Sequence, residues 1–197
     1  MVQPVRPSLS AVVLLPIKSF GEAKHRLSSV LDARERADLA RELASRVVRA
    51  ARDVPVAIVC DDEAVAAWGE AVGASVLWRP GVGLNGAVAA GVDALREDYD
   101  EVIVAHADLP HARDLTVVRG FAGITLVPDR HRDGTNVICI PADCGFRFAY
   151  GPGSFARHED EGARVGLAVR VLIDDALAWD IDTPDDLLGY DGATIEP

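Results

Sequence analysis

The sequence predicts an α/β fold, a single domain whose mainly parallel, twisted sheet is flanked by helices. Short apolar runs alternate with stretches of helical period along most of the chain, the pattern of successive βαβ units. The first run, Ala11–Ile17, is apolar at all seven positions, as strands covered on both faces are. The chain has 197 residues, 49% of them hydrophobic and 26% charged. That is long enough to bury one full core at ordinary globular composition.

Each element has its own signal. After Ala11–Ile17 comes a polar loop, Lys18–Ser29, and then a helix over Ala33–Asp53 in which Leu39, Leu43 and Val47 recur at helical spacing. Asp32 followed by Glu35 resembles a capping box at its start. Val56–Cys60 reads as a second strand and Asp62–Val72 as a helix closed by Gly73. Ser75–Trp78 is a third strand, Leu84–Glu97 an Ala-rich helix and Glu101–Ala105 a fourth strand. Ile124–Val127 and Val137–Ile140 are further strands on either side of the loop Pro128–Asn136. Ser154–Val165 reads as helix, Ala168–Ile173 as strand and Thr183–Leu188 as a capped terminal helix. The domain is expected to span 9–191, with frayed ends at 1–8 and 192–197. Ligands in such sheets sit beyond the carboxyl ends of the strands. That rule selects the loops beginning at Lys18, Arg79, His106, Pro128 and Asp174.

Composition narrows the partners. A formal charge of −11 argues against nucleic acid or an anionic membrane surface. No apolar run approaches the roughly 20 residues of a spanning helix, and Lys18, not a cleavage site, follows the longest one. The chain therefore reads as cytoplasmic. Cys60, Cys139 and Cys144 are odd in number and form no C-x-x-C, which speaks against a disulfide framework or zinc site. Cys60 and Cys139 lie in apolar runs and read as small core residues. The five histidines show no ligand spacing.

Several short constellations carry chemistry. Lys18, Lys24 and Arg26 lie in the loop after the first strand and could surround a polyphosphate, although a solvated loop carries such charges too. Gly81, Gly83 and Gly86 match G-x-G-x-x-G. The match follows the third strand, without the later acid that a dinucleotide fingerprint requires. Asn85, between these glycines, offers a donor and an acceptor to a base edge, or else is the N-cap of the next helix. Asp108 ends the fourth strand and Asp180 and Asp182 precede the last helix, a carboxylate set of the kind that holds Mg²⁺ with substrate phosphates. Capping or turn formation is the plainer role for Asp182. Tyr150–Ser154 is a Gly-rich turn opening a helix, where N–H groups can bind an anion. Thr135 adds a hydroxyl after Asp133-Gly134. Ordinary turns have the same composition.

Taken in order, these segments resemble one family. Leu14-Leu15-Pro16-Ile17-Lys18, Ala23-Lys24-His25-Arg26-Leu27, Gly83-Leu84-Asn85, Ala107-Asp108-Leu109-Pro110, Thr135-Asn136, Tyr150 to His158 and Asp180-Ile181-Asp182-Thr183-Pro184 are similar to the guanylyltransferases of deazaflavin coenzyme F-420 biosynthesis. Those enzymes join GMP to phosphoenolpyruvate or 2-phospho-L-lactate. The resemblance implies a nucleotide-diphospho-sugar-transferase-like (Rossmann-like) fold, GTP as donor and Mg²⁺ as cofactor, with a homodimer left open. It implies that Lys18, Lys24 and Arg26 hold the triphosphate and that Pro16, Lys18, Asn85 and Gly86 bind the nucleotide. It further implies that Asp108 and Asp182 bind metal and that Thr135, Gly151 and Ser154 hold the phosphorylated three-carbon acid. The chain departs from the family pattern at Arg132 and Asp133. Two other readings fit the residues: transfer to a sugar phosphate or molybdopterin-type acceptor, and a non-catalytic nucleotide-binding module taking NAD through Gly81, Gly83 and Gly86. The nucleophile of the first reading is a phosphate monoester, ionised near neutrality because its second pKa is about 6. It needs no general base, in keeping with a sequence that shows no His–acid dyad.

Overall fold

Strand β1 (Ala11–Pro16) is covered on both faces because its side chains feed two different cores. Val13 and Leu15 point into one cluster and Val12 and Leu14 into the other, all at 1% exposure or less. The continuous apolar run follows directly from that arrangement. In this computed structural model, residues 10–190 are described, so the termini expected at 1–8 and 192–197 lie outside the described residues.

The remaining elements are α1 (Ala33–Ala50), β2 (Val56–Cys60), α2 (Glu63–Ala71), β3 (Ser75–Trp78), α3 (Gly83–Leu95), β4 (Glu101–Ala105), β5 (Ile124–Pro128), β6 (Thr135–Pro141), α4 (Ser154–Arg164), β7 (Val169–Val171), α5 (Asp175–Ala178) and α6 (Pro184–Leu188). Single 3₁₀ turns lie at His25–Leu27 and Thr116–Val118. The strands form one sheet in the order β3-β2-β1-β4-β6-β5-β7. Strand β6 runs antiparallel to both β4 and β5, and the other pairings are parallel. The reversal has a simple cause. Only residues 129–134 separate β5 from β6, too few for the crossover that parallel strands require.

Capping fixes the helix starts. Asp32 accepts from the N–H groups of Arg34 and Glu35 at 2.8 and 2.9 Å, while Glu35 accepts from the Asp32 N–H at 2.7 Å. The expected capping box of α1 is thus formed. Asp62 caps α2 through the Val65 N–H at 3.0 Å. Helix α5 was not expected. Its signal is Asp174, which accepts from Ala176 and Leu177. Cys60 and Cys139 are buried as expected, and burial pushes the Cys139 thiol up to about 12. Among the described residues, no helix is long and apolar enough to cross a membrane.

A third, smaller cluster shapes the site. Leu27, Leu43 and Ile181, each fully buried, pack the loop after β1 against α1 and the segment before α6. Through Ile181 the basic loop and the Asp180–Asp182 segment share one wall.

Helix α3 approaches β1 closely enough that a Cβ on Gly91 would lie 2.7 Å from Leu14 Cδ2. Overpacking a filled core costs about 1–3 kcal/mol, against a helix-propensity gain of about 1 kcal/mol. Gly91→Ala is therefore expected to lower stability, read in urea as a reduced midpoint at unchanged m-value.

Candidate active site

Beyond the carboxyl ends of β1 and β4 lies a cavity of about 730 Å³. Its walls include Pro16, Lys18, Lys24, His106, Asp108 and Asp182. Lys24 is the centre of this arrangement. Its backbone is left-handed (φ 59°, ψ 35°), a costly conformation for a residue with a Cβ. Its side chain is only 6% exposed and its ammonium is bonded to Asp108 and, at 3.3 Å, to Asp182. Burial works against that ammonium, but Asp108 and Asp182 overcome it and hold its pKa above the ordinary value. Burial likewise works against the Asp108 carboxylate, and Lys24 and His106 bring it below the usual range. Arg26 lies 3.7 Å from Asp182 but does not line the cavity, and Lys18 pairs with Glu22 at 2.7 Å in the open.

The acidic side exceeds what Lys24 neutralises. Burial, then repulsion from Asp108 and Asp182, raises the Asp180 carboxyl, with His106 and Lys24 opposing. Asp108 Oδ1, His106 Nε2 and Tyr150 Oη are buried without a hydrogen-bond partner. Unpaired buried polar atoms are rare and cost about 1–3 kcal/mol each, and three of them meet at this end of the sheet. A divalent cation fits the donor set: the free Asp108 oxygen, with Asp182 and Asp180 beside it. Among the described residues no three carboxylate, imidazole or thiolate side chains form a ready-made metal site. Ligand oxygens would have to complete the shell, as they do for Mg²⁺ among phosphates.

Asp182 is held by Asp186, whose Oδ2 accepts from the N–H groups of Asp182 and Thr183 at 2.9 and 2.7 Å. Asp186 also pairs with Arg130. Burial opposes this carboxylate, but Arg130 and those two N–H groups hold its pKa at about 2. The turn-forming role weighed for Asp182 thus falls to Asp186, and Asp182 keeps its carboxylate toward Lys24 and Arg26.

The structure places other expected residues elsewhere. Asn85 is not the N-cap of α3, which is Val82. Its amide is engaged by the Tyr150 main chain, accepting from the N–H at 2.7 Å and donating to the carbonyl at 3.4 Å. Gly86 lies in the first turn of α3, where a Cβ would meet Val82. Neither lines the main cavity, and neither do Thr135, Gly151 or Ser154. Thr135 and Ser154 are buried, at 1% and 2% exposure. The α4 N-terminus, expected to offer N–H groups to an anion, is satisfied internally. Gly153 N–H donates to the Asp133 carboxylate at 3.0 Å, Phe155 N–H to the Asp133 carbonyl at 3.0 Å and Ser154 N–H to the Gly151 carbonyl at 2.9 Å. Asp133, one of the two departures from the family pattern, thus occupies the place of an anion. Sequence reasoning passed over Asp61, which follows β2 and lines a second cavity of about 260 Å³. The rule that selected the other loops, position at the carboxyl end of a strand, applies equally to it.

A sheet of this order with carboxylates and lysines at the carboxyl ends of β1 and β4 is the arrangement of a nucleotide-using transferase, and the relatives below make it a nucleotidyltransferase. Solved structures agree on the fold. A Desulfovibrio desulfuricans G20 protein assigned as a nucleotide-diphospho-sugar transferase superposes with a TM-score of 0.70 at 19% identity, over 94% of this chain and 88% of that one. A Methanothermobacter nucleotidyl transferase superposes with a TM-score of 0.63 at 13% identity, over 93% and 96%. Residues 11–190 match the family model described as "Guanylyl transferase CofC like", and the chain belongs to that family. It is 37% identical over 189 residues to the phosphoenolpyruvate guanylyltransferase of Sphaerobacter thermophilus, covering 91% of each chain. The enzyme of the same name from Rubrobacter xylanophilus is 35% identical, over 91% of this chain and 92% of its own.

Behind the cavity, His158 is fully buried. Its Nε2 accepts the Ala149 N–H at 3.0 Å, so the ring proton sits on Nδ1 and is donated to Thr135 Oγ1 at 3.0 Å. Burial, then Arg157 and His106, lowers its pKa from 6.5 to about 4. Between those values the unfolded chain binds a proton that the folded chain refuses, so stability falls as pH drops from about 6.5 to 4. The loss reaches about 3 kcal/mol. His158→Gln should remove that slope, read as unfolding free energies at pH 7 and 4.5 that differ less than in the wild type.

Proposed function

We propose that this nucleotidyltransferase transfers GMP from GTP to the phosphate of phosphoenolpyruvate, or of 2-phospho-L-lactate, and releases pyrophosphate, as a step of coenzyme F-420 biosynthesis with Mg²⁺ as cofactor. The observation that carries the reading is the Lys24 ammonium held between Asp108 and Asp182 in the cavity it shares with Lys18. The relatives named phosphoenolpyruvate guanylyltransferase, similar along nearly the whole chain, supply the acceptor and the base.

An acceptor phosphate oxygen forms a bond to the α-phosphorus of GTP, and the bond from that phosphorus to the bridging oxygen breaks, leaving pyrophosphate. Both reactants are anions, so the work is alignment and charge neutralisation. Lys18 reaches the phosphates by giving up Glu22, an exposed pair worth little. Arg26 turns its fork toward them from Asp182, and Lys24 stays at the junction of phosphates and carboxylates. Asp108 and Asp182, with Asp180 beside them, would hold Mg²⁺, which supplies positive charge against that developing on the leaving group. The acceptor needs no base, and the buried, neutral His158 is placed as a scaffold and not as a proton acceptor for it. The acid enters at the Gly151–Ser154 turn by displacing the Asp133 carboxylate from the Gly153 N–H.

Incubation with GTP, Mg²⁺ and each acid should release pyrophosphate with at least one of the two. Release only with a sugar phosphate, or with no phosphorylated acceptor, overturns the reading. Asp108→Asn should lower turnover by about a hundredfold or more while the circular dichroism spectrum keeps its α/β form. Wild-type turnover in that variant removes Asp108 from the site.

A further inference from the structure

The cavity of about 260 Å³ opens beside the larger one, and Pro16, Ile17, Lys18 and Leu84 line both. Apart from Asp61 and Arg79, the rest of this slot is apolar or bare backbone: Val59, Cys60, Ala87 and the glycine loop of Gly81 and Gly83. Both glycines have positive φ, 72° and 66°, and no atom lies within 4 Å of where a Cβ would stand. Such walls accept a flat ring, and the polar groups at the slot's end decide which ring.

Those groups are few, because the main chain here is already paired. The Val59 carbonyl takes the Ile17 N–H at 3.0 Å and the Cys60 carbonyl takes the Arg79 N–H at 2.9 Å. Arg79 lines the slot and spends one guanidinium N–H on the Trp78 carbonyl. Asp61, half-buried, has one long contact, from the Gly81 N–H at 3.4 Å, and among the described residues no other hydrogen bond. Its neighbour Asp62 is committed to capping α2. Asn85, expected beside the base, is committed to the Tyr150 main chain. Asp61 is therefore the acceptor left over in the slot.

The geometry points to Asp61 as the residue that selects guanine, its carboxylate accepting from the purine N1–H and 2-amino group while Arg79 offers a donor toward the 6-oxo group. This deepens the guanylyltransferase reading and rests on it. An ionised carboxylate only accepts. Guanine presents two adjacent donors, adenine presents an acceptor at N1, and hypoxanthine keeps N1–H but lacks the amino group. The discrimination comes from pairing, which an apolar slot alone supplies poorly.

The test compares wild type and Asp61→Asn with GTP, ITP and ATP, by pyrophosphate release with Mg²⁺ and acid and by calorimetric titration of GTP and ITP without acid. Asp61→Asn keeps an oxygen for the Gly81 N–H and removes the charge. The preference for GTP over ITP is expected to fall roughly ten- to a hundredfold, through weaker GTP binding. The KM for the acid and the melting temperature should stay where they are. An unchanged GTP-to-ITP ratio in Asp61→Asn overturns the assignment. A wild type that turns over none of the three nucleotides overturns the guanylyltransferase reading instead. The titration still decides Asp61 in that case, because equal GTP and ITP affinities in the wild type refute it and a preference lost in the variant supports it.

Discussion

The site depends on one buried ammonium. Removing a lysine charge from water costs several kcal/mol, and a left-handed backbone at a residue with a Cβ adds about 1–3 kcal/mol. Lys24 carries both costs, at 6% side-chain exposure and φ 59°. They are offset only if Asp108 and Asp182, which lie 84 and 158 positions further along the chain, both come within reach. The end of β1, the end of β4 and the approach to α6 are thereby constrained to meet at one point. Leu27, Leu43 and Ile181 make the meeting stable from behind.

This constraint also explains how a chain of formal charge −11 can serve the two anions proposed as its substrates. The three basic side chains of this loop are already matched: Lys18 by Glu22, Arg26 by Asp182, Lys24 by two carboxylates. The pairs differ in depth. The Lys18 and Arg26 pairs are exposed and exchange partners at little cost, whereas Lys24 is fixed. A polyphosphate can therefore recruit the outer cations without dismantling the inner pair. The carboxylate excess around Asp180 favours a divalent cation in the same place.

Most of the scaffold was legible in the residues because its signals are local. The apolar run of β1, the Asp32–Glu35 box and Asp62 at the start of α2 act within a few positions. The reversal of β6 follows from the length of its loop alone. Within the site, Lys18, Lys24, Asp108 and Asp182 do share a cavity. What sequence could not show was how polar side chains divide their bonds among distant partners. Asn85 spends its amide 65 positions away on Tyr150, Asp133 spends its carboxylate 20 positions away on Gly153, and Asp186 fixes Asp182 from inside a helix cap. Each choice depends on which orphan N–H is nearest in space, and spacing along the chain carries no record of that.

The proposed roles of the two cavities separate selection from chemistry. Pro16, Ile17 and Lys18, at and just beyond the end of β1, form the partition between the two cavities, with the Asp61 slot on the β2–β3 side and the Lys24 cluster on the β4 side. Parallel strands deliver their carboxyl ends side by side, so neighbouring loops can be assigned different tasks without altering the sheet. In the proposed arrangement, a base held in the slot places its phosphates past the partition, toward Lys18 and Lys24. The β1 backbone is tied there by the Ile17 N–H to the Val59 carbonyl and by packing on both faces. In the arrangement proposed above, that partition sets the distance between the base edge and the reacting phosphorus.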